Sequence, residues 1–137
     1  MNTPTPIIAT LVPEDKRMSV LPDFFGFAQM LLAEGMTFDY MKTLSIDYTG
    51  GHWHYYRLSN GGFYMAPSHD EPMRVQTNSN GYEGTMSADA AGLTATLFML
   101  NDLANSLATE KLIDLYYQVR DFASEHAEIT EIFKAID

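Results

Sequence analysis

Apolar residues divide the chain by their spacing into a mixed first part, a β-type middle and a helical last third. Between His52 and Ser59, aromatic and polar residues alternate in the way that is typical of strands. In the last third, apolar residues recur every three or four positions, which is typical of helices that bury one face. The pattern therefore predicts an α+β protein.

The first part is predicted to hold a short strand and two helices. Residues 7–12 read as a strand that Pro13 stops, and Pro22 suits the first turn of a helix that Ser19 could cap. Glycines at 26 and 35 are expected to interrupt the segment that follows. A second helix is predicted to end near Ile46, with a face formed by Phe38, Met41 and Leu44.

The middle is predicted to be an antiparallel β-meander over residues 52–86. Its four strands are expected at residues 52–59, 63–66, 73–78 and 82–86. Asn60-Gly61 and Asn80-Gly81 are interpreted as two-residue type I′ turns, in which both positions need positive φ. We expect this meander to pack against the helices in a two-layer domain.

The last third begins with a predicted N-cap at Ser87, and Asp89 falls in the first turn near the positive end of the helix dipole. Residues 90–100 are apolar almost all round, as in a helix buried in the middle of a fold. Two further helices are predicted from apolar stripes, one formed by Leu112, Leu115, Tyr116, Val119, Phe122 and Ala123 and the other by Ile129, Ile132, Phe133 and Ile136.

Length and composition indicate one globular domain over residues 7–137, preceded by a flexible Thr- and Pro-rich tail at residues 1–6. Apolar residues make up 46% of the chain, and the absence of cysteine excludes disulfides and thiolate metal sites. The chain starts without the basic and apolar segments of a signal peptide, and its longest apolar run is too short to span a bilayer. We expect a cytoplasmic protein without a membrane partner.

The chain is strongly acidic, with 18 acidic and 8 basic residues and a formal net charge of −10. Such a surface repels phosphate backbones, so direct nucleic-acid binding is not expected. A protein that imitates DNA would need its carboxylates arrayed in a row, whereas here they are scattered along the sequence. An acidic, solvated surface is the favoured interpretation.

Histidines suggest one possible metal site. His52 and His54 are two apart on a predicted strand and so share a face, and the loop residues His69, Asp70 and Glu71 could add ligands for zinc or another divalent ion. The spacing matches no known site, and histidines beside aromatic residues are common on sheet surfaces. The favoured prediction is therefore no metal and no cofactor.

Two other patterns have structural explanations. The pair Gly81 and Gly84 before a helix start could cradle an anion, but Glu83 and Asp89 would repel a phosphate. Ser87 does not lie in a nucleophile elbow, and capping explains it. No catalytic residues are predicted, and we do not expect an enzyme.

Methionine is frequent, with nine residues. Met65, Met73 and Met86 all fall in the predicted meander, where core packing is the favoured role. Because methionine is also common on adaptable binding surfaces, a partner-binding sheet face that includes Tyr64 and Tyr82 is the alternative.

Several segments resemble the ArdB/KlcA antirestriction family. They are residues 10–13 (TLVP), Leu21-Pro22-x-x-Phe25-Gly26, Gly50-Gly51 before an aromatic strand, residues 59–67 (SNGGFYMAP), residues 84–92 (GTMSADAAG) with 94–98 (TATLF), and the closing Phe133-x-Ala135-Ile136-Asp137. The resemblance implies a small cytoplasmic α+β protein of plasmids and other mobile elements that relieves type I restriction of incoming DNA. It implies a partner in the type I enzyme or an associated host factor, and it supplies no catalytic residues.

Residues that could contact such a partner lie around the two glycine-rich segments and the C-terminus: Asn60, Tyr64, Tyr82, Glu83, Asp89 and Asp137. Asp137 is unfavourable beside the negative end of a helix dipole, so another contact must explain it. There are three interpretations: a salt bridge to a core-proximal arginine such as Arg57 or Arg74, contact with a basic patch on the target, and a solvated tail.

Three functions stay open: inhibition through protein contacts, which is favoured; an acidic DNA mimic that competes for the DNA channel of the restriction enzyme; and a metal-dependent hydrolase that uses the histidines.

Overall fold

A computed structural model describes residues 5–137. In chain order the elements are β1 (Ala9–Leu11), a 3-10 helix (Glu14–Ser19), α1 (Val20–Leu44), β2 (Trp53–Leu58), β3 (Phe63–Pro67), β4 (Met73–Gln76), β5 (Glu83–Met86), α2 (Ala88–Leu107), α3 (Glu110–Ala123) and α4 (Ile129–Ile136). The α+β class is confirmed. The predicted tail falls mostly on residues 1–4, which lie outside the described part. Among residues 5–137, no helix has both the length and the apolar character needed to cross a bilayer.

Helix α2 lies at the centre and packs against α1, α3, α4 and β3. Its residues from Ala90 to Leu97 are all buried, as the apolar pattern predicts. At Gly92 the helix touches β3 so closely that a Cβ atom there would lie 2.3 Å from the Cα atom of Ala66. Only glycine permits this approach, because a backbone atom cannot move aside as a flexible side chain can.

The strands form two sheets, a three-stranded sheet in the order β1-β2-β3 and a two-stranded sheet of β4 and β5, with antiparallel pairing throughout. The four strands predicted in the middle of the chain are present, but the single meander is wrong because β3 does not pair with β4. The hydroxyl of Thr96 on α2 accepts a hydrogen bond from the N–H of Met65 and donates one to its carbonyl, both at 3.3 Å. Helix α2 thus occupies the edge of β3 where a fourth strand would pair.

The predicted break at Gly26 is confirmed, because its φ of +71° interrupts α1 with a kink. The break predicted at Gly35 is wrong, since helix continues through it to Leu44. Ser19 makes no side-chain cap because the 3-10 helix runs directly into α1, and its hydroxyl donates instead to the carbonyl of Lys16 at 2.7 Å.

Both Asn-Gly turns are present, but the type I′ assignment is wrong. Gly61 and Gly81 have positive φ, at +95° and +74°, whereas neither asparagine does. In the first turn the Gly61 N–H donates to the carbonyl of Leu58 at 3.0 Å, which leaves the glycine as the left-handed residue that ends the turn. The asparagine side chains instead donate hydrogen bonds to main-chain carbonyls of α3 and α4.

The side chains of Met65, Met73 and Met86 are 0%, 0% and 2% exposed, so core packing is confirmed and a methionine-rich binding face is wrong. Ser87 caps α2, since its hydroxyl accepts a hydrogen bond from the Ala90 N–H at 3.1 Å. Helices α3 and α4 cover the predicted apolar stripes.

Candidate interaction surface

Helices α3 and α4 are where most of the predicted interaction residues meet. Asn60 donates its side-chain amide to the carbonyl of Gln118 on α3 at 2.8 Å, while its side-chain oxygen accepts from the Gly62 N–H at 3.1 Å. Asn80 has the same arrangement on α4, with donation to the carbonyls of Lys134 and Ala135 at 3.1 and 3.0 Å. The asparagine of each turn thus links the turn to a helix through side-chain hydrogen bonds.

Tyr64 and Asp89 belong to a hydrogen-bonded cluster beside the start of α2. The Tyr64 hydroxyl donates to one carboxylate oxygen of Asp89 at 2.7 Å, and Nε2 of His126 lies 2.8 Å from the other. The ring of Tyr64 stacks between Tyr56 at 4.6 Å and Phe122 at 5.4 Å. Because Tyr64 is only 2% exposed, it lies in the core and not on a contact surface.

The cluster fixes the proton on His126. Its Nδ1 atom accepts a hydrogen bond from the main-chain N–H of Glu128 at 2.9 Å, so in the neutral ring the proton is on Nε2 and is donated to Asp89. Ser87 donates its hydroxyl to the Glu128 carboxylate, not to the histidine. Both ring nitrogens of His126 therefore have other hydrogen-bond partners, so Ser87 and His126 do not form a nucleophile–base pair.

Burial and the neighbouring Asp89 raise the pKa of Tyr64, so the hydroxyl stays a donor. Burial by itself would raise the pKa of Asp89, but the hydrogen bonds from His126 and Tyr64 outweigh it, and the pKa lies below its ordinary value. Asp89 is therefore a carboxylate at neutral pH, and its side chain is 39% exposed.

Tyr82 is 9% exposed and donates its hydroxyl to Glu131 on α4 at 3.0 Å. Burial and this carboxylate raise its pKa to about 12. A Cβ atom on Gly84 would lie 2.8 Å from the same Glu131 carboxylate. The space where an anion cradle was considered is thus occupied by acidic groups, while Glu83 beside it is exposed.

Asp137 pairs with Arg120 on α3, at 3.3 Å, and not with either arginine that the sequence suggested. Those two are engaged elsewhere, Arg57 with Asp23 at 2.6 Å and Arg74 with Asp47 at 2.8 Å. The salt-bridge interpretation is thus confirmed with a different partner. The Asp137 side chain is still 57% exposed, so it remains accessible to another molecule.

A cleft of about 650 Å³ opens between β2–β3 and the start of α2. Its acidic and histidine lining residues are His54, His69, Asp70, Glu71, Asp89 and Glu128. Four of these six are carboxylic acids and none is Lys or Arg, so the cleft favours a cationic group over a phosphate.

The rings of His52 and His54, which were considered as metal ligands, lie 5.3 Å apart, but the two side chains have different surroundings. His52 lies 3.2 Å from the guanidinium of Arg17 and 3.4 Å from the carboxylate of Glu14, whereas His54 lines the cleft. Within residues 5–137, no group of three or more His, Asp or Glu side chains is placed to hold a metal ion.

The sequence did not indicate the residues that contact Asp137, Asp89, Ser87 and Tyr82. They are, in that order, Arg120, His126, Glu128 and Glu131. Each lies 17 to 49 positions away in sequence from the residue it contacts. Polar residues between the apolar stripes of α3 and α4 were a sign that hydrogen bonds could form there. Their spacing, however, does not indicate which residue each of them contacts.

Comparison with known proteins decides the family. Residues 46–137, more than half of the chain, match the antirestriction protein family. The chain belongs to that family. All six residues proposed from the sequence as contact groups lie inside the matched segment.

Relatives in the family match along the whole chain. A KlcA antirestriction protein of Escherichia coli is 50% identical over 143 residues, which cover 100% of this chain and 98% of the relative. YafX of Escherichia coli K12, uncharacterised, is 35% identical over 134 residues, covering 96% and 88%.

A solved structure from work on KlcA and ArdB has a TM-score of 0.91 and 44% identity, with 100% of both chains covered. That work describes a novel fold and antirestriction activity against type I DNA restriction systems in vivo but not in vitro. The fold of this family member is therefore that of the KlcA/ArdB structures.

Proposed function

We propose that this protein relieves type I restriction of incoming mobile-element DNA in the cytoplasm, through protein contacts and without catalysis. The observation that carries the proposal is the full-length similarity to a KlcA antirestriction protein at 50% identity, together with a TM-score of 0.91 to a structure from the KlcA and ArdB work. The partner is the type I enzyme or a host factor associated with it.

The activity described for those relatives appears in vivo but not in vitro. An inhibitor that only competed for a DNA channel would act on the purified enzyme as well. The contrast therefore favours a mechanism that needs another component of the cell, and it argues against the alternative of an acidic DNA mimic.

Three of the 18 acidic residues are less suited to a DNA mimic than free carboxylates would be. Asp23, Asp47 and Asp137 are each paired with an arginine, at 2.6, 2.8 and 3.3 Å. Paired carboxylates carry less field into solution than a row of free ones. A phosphate-like array would instead leave its carboxylates unneutralised.

We place the contact surface on the accessible carboxylates around α4 and the cleft, namely Glu83, Asp89 and Asp137. Asp89 and Asp137 are 39% and 57% exposed at their side chains, and Glu83 is exposed. The complementary feature on the target would be a basic patch, because opposite potentials steer association and fix its register.

The function is tested in cells. Expressed in a host with an active type I system, the protein should raise the plating efficiency of unmodified phage. A host that carries only a simple type II enzyme is the matched control and should show no change. Unaltered plating in the type I host, at confirmed expression, would contradict the proposal.

The contact surface is tested by Asp137→Asn, which removes the charge and keeps the shape. The exposed pair with Arg120 contributes about 1 kcal/mol or less, so the fold should persist. We expect unchanged melting and reduced antirestriction. Asp121→Asn, an exposed aspartate on α3, is the control for loss of one negative charge. Full activity of Asp137→Asn would remove Asp137 from the surface.

The DNA-mimic alternative is tested by pull-down from cells with a type I system at low and at moderate salt. Competition through many carboxylates should weaken steeply with salt, whereas a mixed protein interface should persist. Capture that disappears at moderate salt, with purified type I enzyme inhibited at low salt, would favour the mimic.

A further inference from the structure

The two Asn-Gly pairs carry a covalent chemistry that antirestriction does not use. In such a pair the main-chain nitrogen of the glycine can attack the side-chain carbonyl carbon of the asparagine. A new C–N bond closes a succinimide ring, the bond from that carbon to Nδ2 breaks, and Nδ2 leaves as ammonia with the proton that the glycine nitrogen loses. Water then opens the ring to aspartate or isoaspartate. Glycine favours the attack because it has no side chain to hinder it.

The fold holds both pairs in an unreactive arrangement. The attacking nitrogens are occupied, since the Gly61 N–H donates to Leu58 at 3.0 Å and the Gly81 N–H donates to Thr77 at 3.1 Å. The oxygen of each asparagine amide accepts from the N–H two residues later, at 3.1 Å for Asn60 and 3.0 Å for Asn80. Ring closure therefore requires the turn to open first, and its rate follows the population of the opened form.

The two turns differ in what must open. Asn60 is half-buried and bonds the carbonyl of Gln118, which lies inside the 14-residue helix α3. The side-chain amide of Gln118 also covers the turn, since a Cβ atom on Gly61 would lie 3.2 Å from its Nε2. Opening here would disturb contacts with the interior of a helix whose Leu115, Val119 and Ala123 are buried.

Asn80 is exposed and bonds the carbonyls of Lys134 and Ala135. Both lie in the last turn of α4, a helix of eight residues. Helix ends fray because their last carbonyls have no partner within the helix. Apart from its chain neighbours, no atom of residues 5–137 lies within 4 Å of the position a Cβ would take at Gly81, so the turn is also less covered.

We propose that Asn80 is the principal deamidation site of the native protein, while α3 keeps Asn60 intact. The new carboxylate has no N–H to donate, and it would face carbonyl oxygens that already carry the negative end of the helix dipole. The modified turn cannot close onto α4 as before. Deamidation at Asn80 therefore undocks the end of the last helix.

The test is peptide mapping by mass spectrometry after incubation of the native protein in mildly alkaline buffer. The tryptic peptide 58–74 contains Asn60 as its only asparagine, whereas 75–111 contains Asn78, Asn80, Asn101 and Asn105 and needs fragmentation. We expect acid to form at Asn80 at least about tenfold faster than at Asn60, because the less protected turn opens more often. In denaturant the two rates should converge. Equal native rates, or a faster Asn60, would overturn the proposal.

Two variants test the role of the helices. Ile132 is fully buried on α4, and Ile132→Val should loosen that helix, accelerating reaction at Asn80 while leaving Asn60 unchanged. Leu115→Ala on α3 is the matched control and should accelerate reaction at Asn60. If Leu115→Ala fails to fold, Leu115→Met serves the same purpose. An unchanged rate at Asn80 in Ile132→Val would show that α4 does not protect the site.

Discussion

The β2–β3 hairpin and the β4–β5 hairpin both contain Asn-Gly in their turns, but they differ in how deeply they are buried. Every residue of β3 is buried, and α2 lies against it so closely that Gly92 and Ala66 leave no room for a Cβ atom. In β4, buried and exposed residues alternate, so that hairpin has one face in solvent. The first hairpin is part of the core, whereas the second is attached to it.

In both hairpins, the side-chain amide of the asparagine donates hydrogen bonds from the turn to a helix. The difference lies in the helix, since Asn60 reaches the interior of α3 and Asn80 reaches the end of α4. The stability that such a hydrogen bond contributes depends on how far its surroundings exclude water. Identical local sequence thus gives different local stability.

The largest expected effect concerns the contact between α2 and the first hairpin. Gly92→Ala places a Cβ against the backbone of Ala66 and should destabilise by about 3 kcal/mol, as overpacking of a rigid core does. Gly35→Ala on α1 is the matched control. Outside its own helix turn, no atom in the described part of the chain lies within 4 Å of its Cβ position, so the change should be neutral or stabilising by up to about 1 kcal/mol. Urea denaturation measures both. Equal midpoints for the two variants would contradict the close packing.

The next effect concerns the glycines of the turns. Gly61→Val and Gly81→Val put a β-branched residue at positive φ, which should cost more than about 1 kcal/mol each. Gly61→Val should cost more, because its side chain also meets Gln118. Thermal melting measures this. Unaltered melting of both variants would show that the turns are misread.

A smaller effect separates the two asparagines. Asn60→Ala removes the half-buried hydrogen bond to the carbonyl of Gln118, at a cost of about 1–2 kcal/mol, whereas Asn80→Ala, at an exposed position, should cost less than about 1 kcal/mol. The denaturation midpoint, at unchanged m-value, measures the difference. A greater loss in Asn80→Ala would reverse the comparison.

The smallest effect is the acid dependence of the second hairpin. Hydrogen bonds from Arg74 on β4 lower the pKa of Asp47 from 3.8 to about 2. Because the folded-state pKa is the lower one, the pair stabilises the fold fully above 3.8, and the contribution is lost as the pH falls toward 2.

The variant Asp47→Asn should therefore lose less stability than the parent between neutral pH and about pH 3, measured by denaturation at each pH. Asp39→Asn on α1 removes a charge that makes no ion pair within residues 5–137 and should follow the parent. Parallel pH profiles for the parent and Asp47→Asn would mean that the pair does not stabilise the hairpin.

The individual helices, strands and turns can be predicted from local spacing in the sequence. The four central strands, the buried helix after Ser87 and the stripes of α3 and α4 follow from periodicity, because side-chain direction repeats every 2 or 3.6 residues. The kink at Gly26 and the two glycine turns follow from backbone conformations that other residues avoid. The family resemblance likewise rests on contiguous segments.

The way in which these elements meet depends on contacts between residues that are distant in sequence. Thr96 closes the edge of β3 and so divides one predicted meander into two sheets. Asp137 finds Arg120, and Asp89 finds His126, across gaps that no local pattern spans. Tyr64 and Tyr82 were predicted as contact groups, yet they are buried. Their places depend on which distant helix covers them, and that is set by the packing of the whole core.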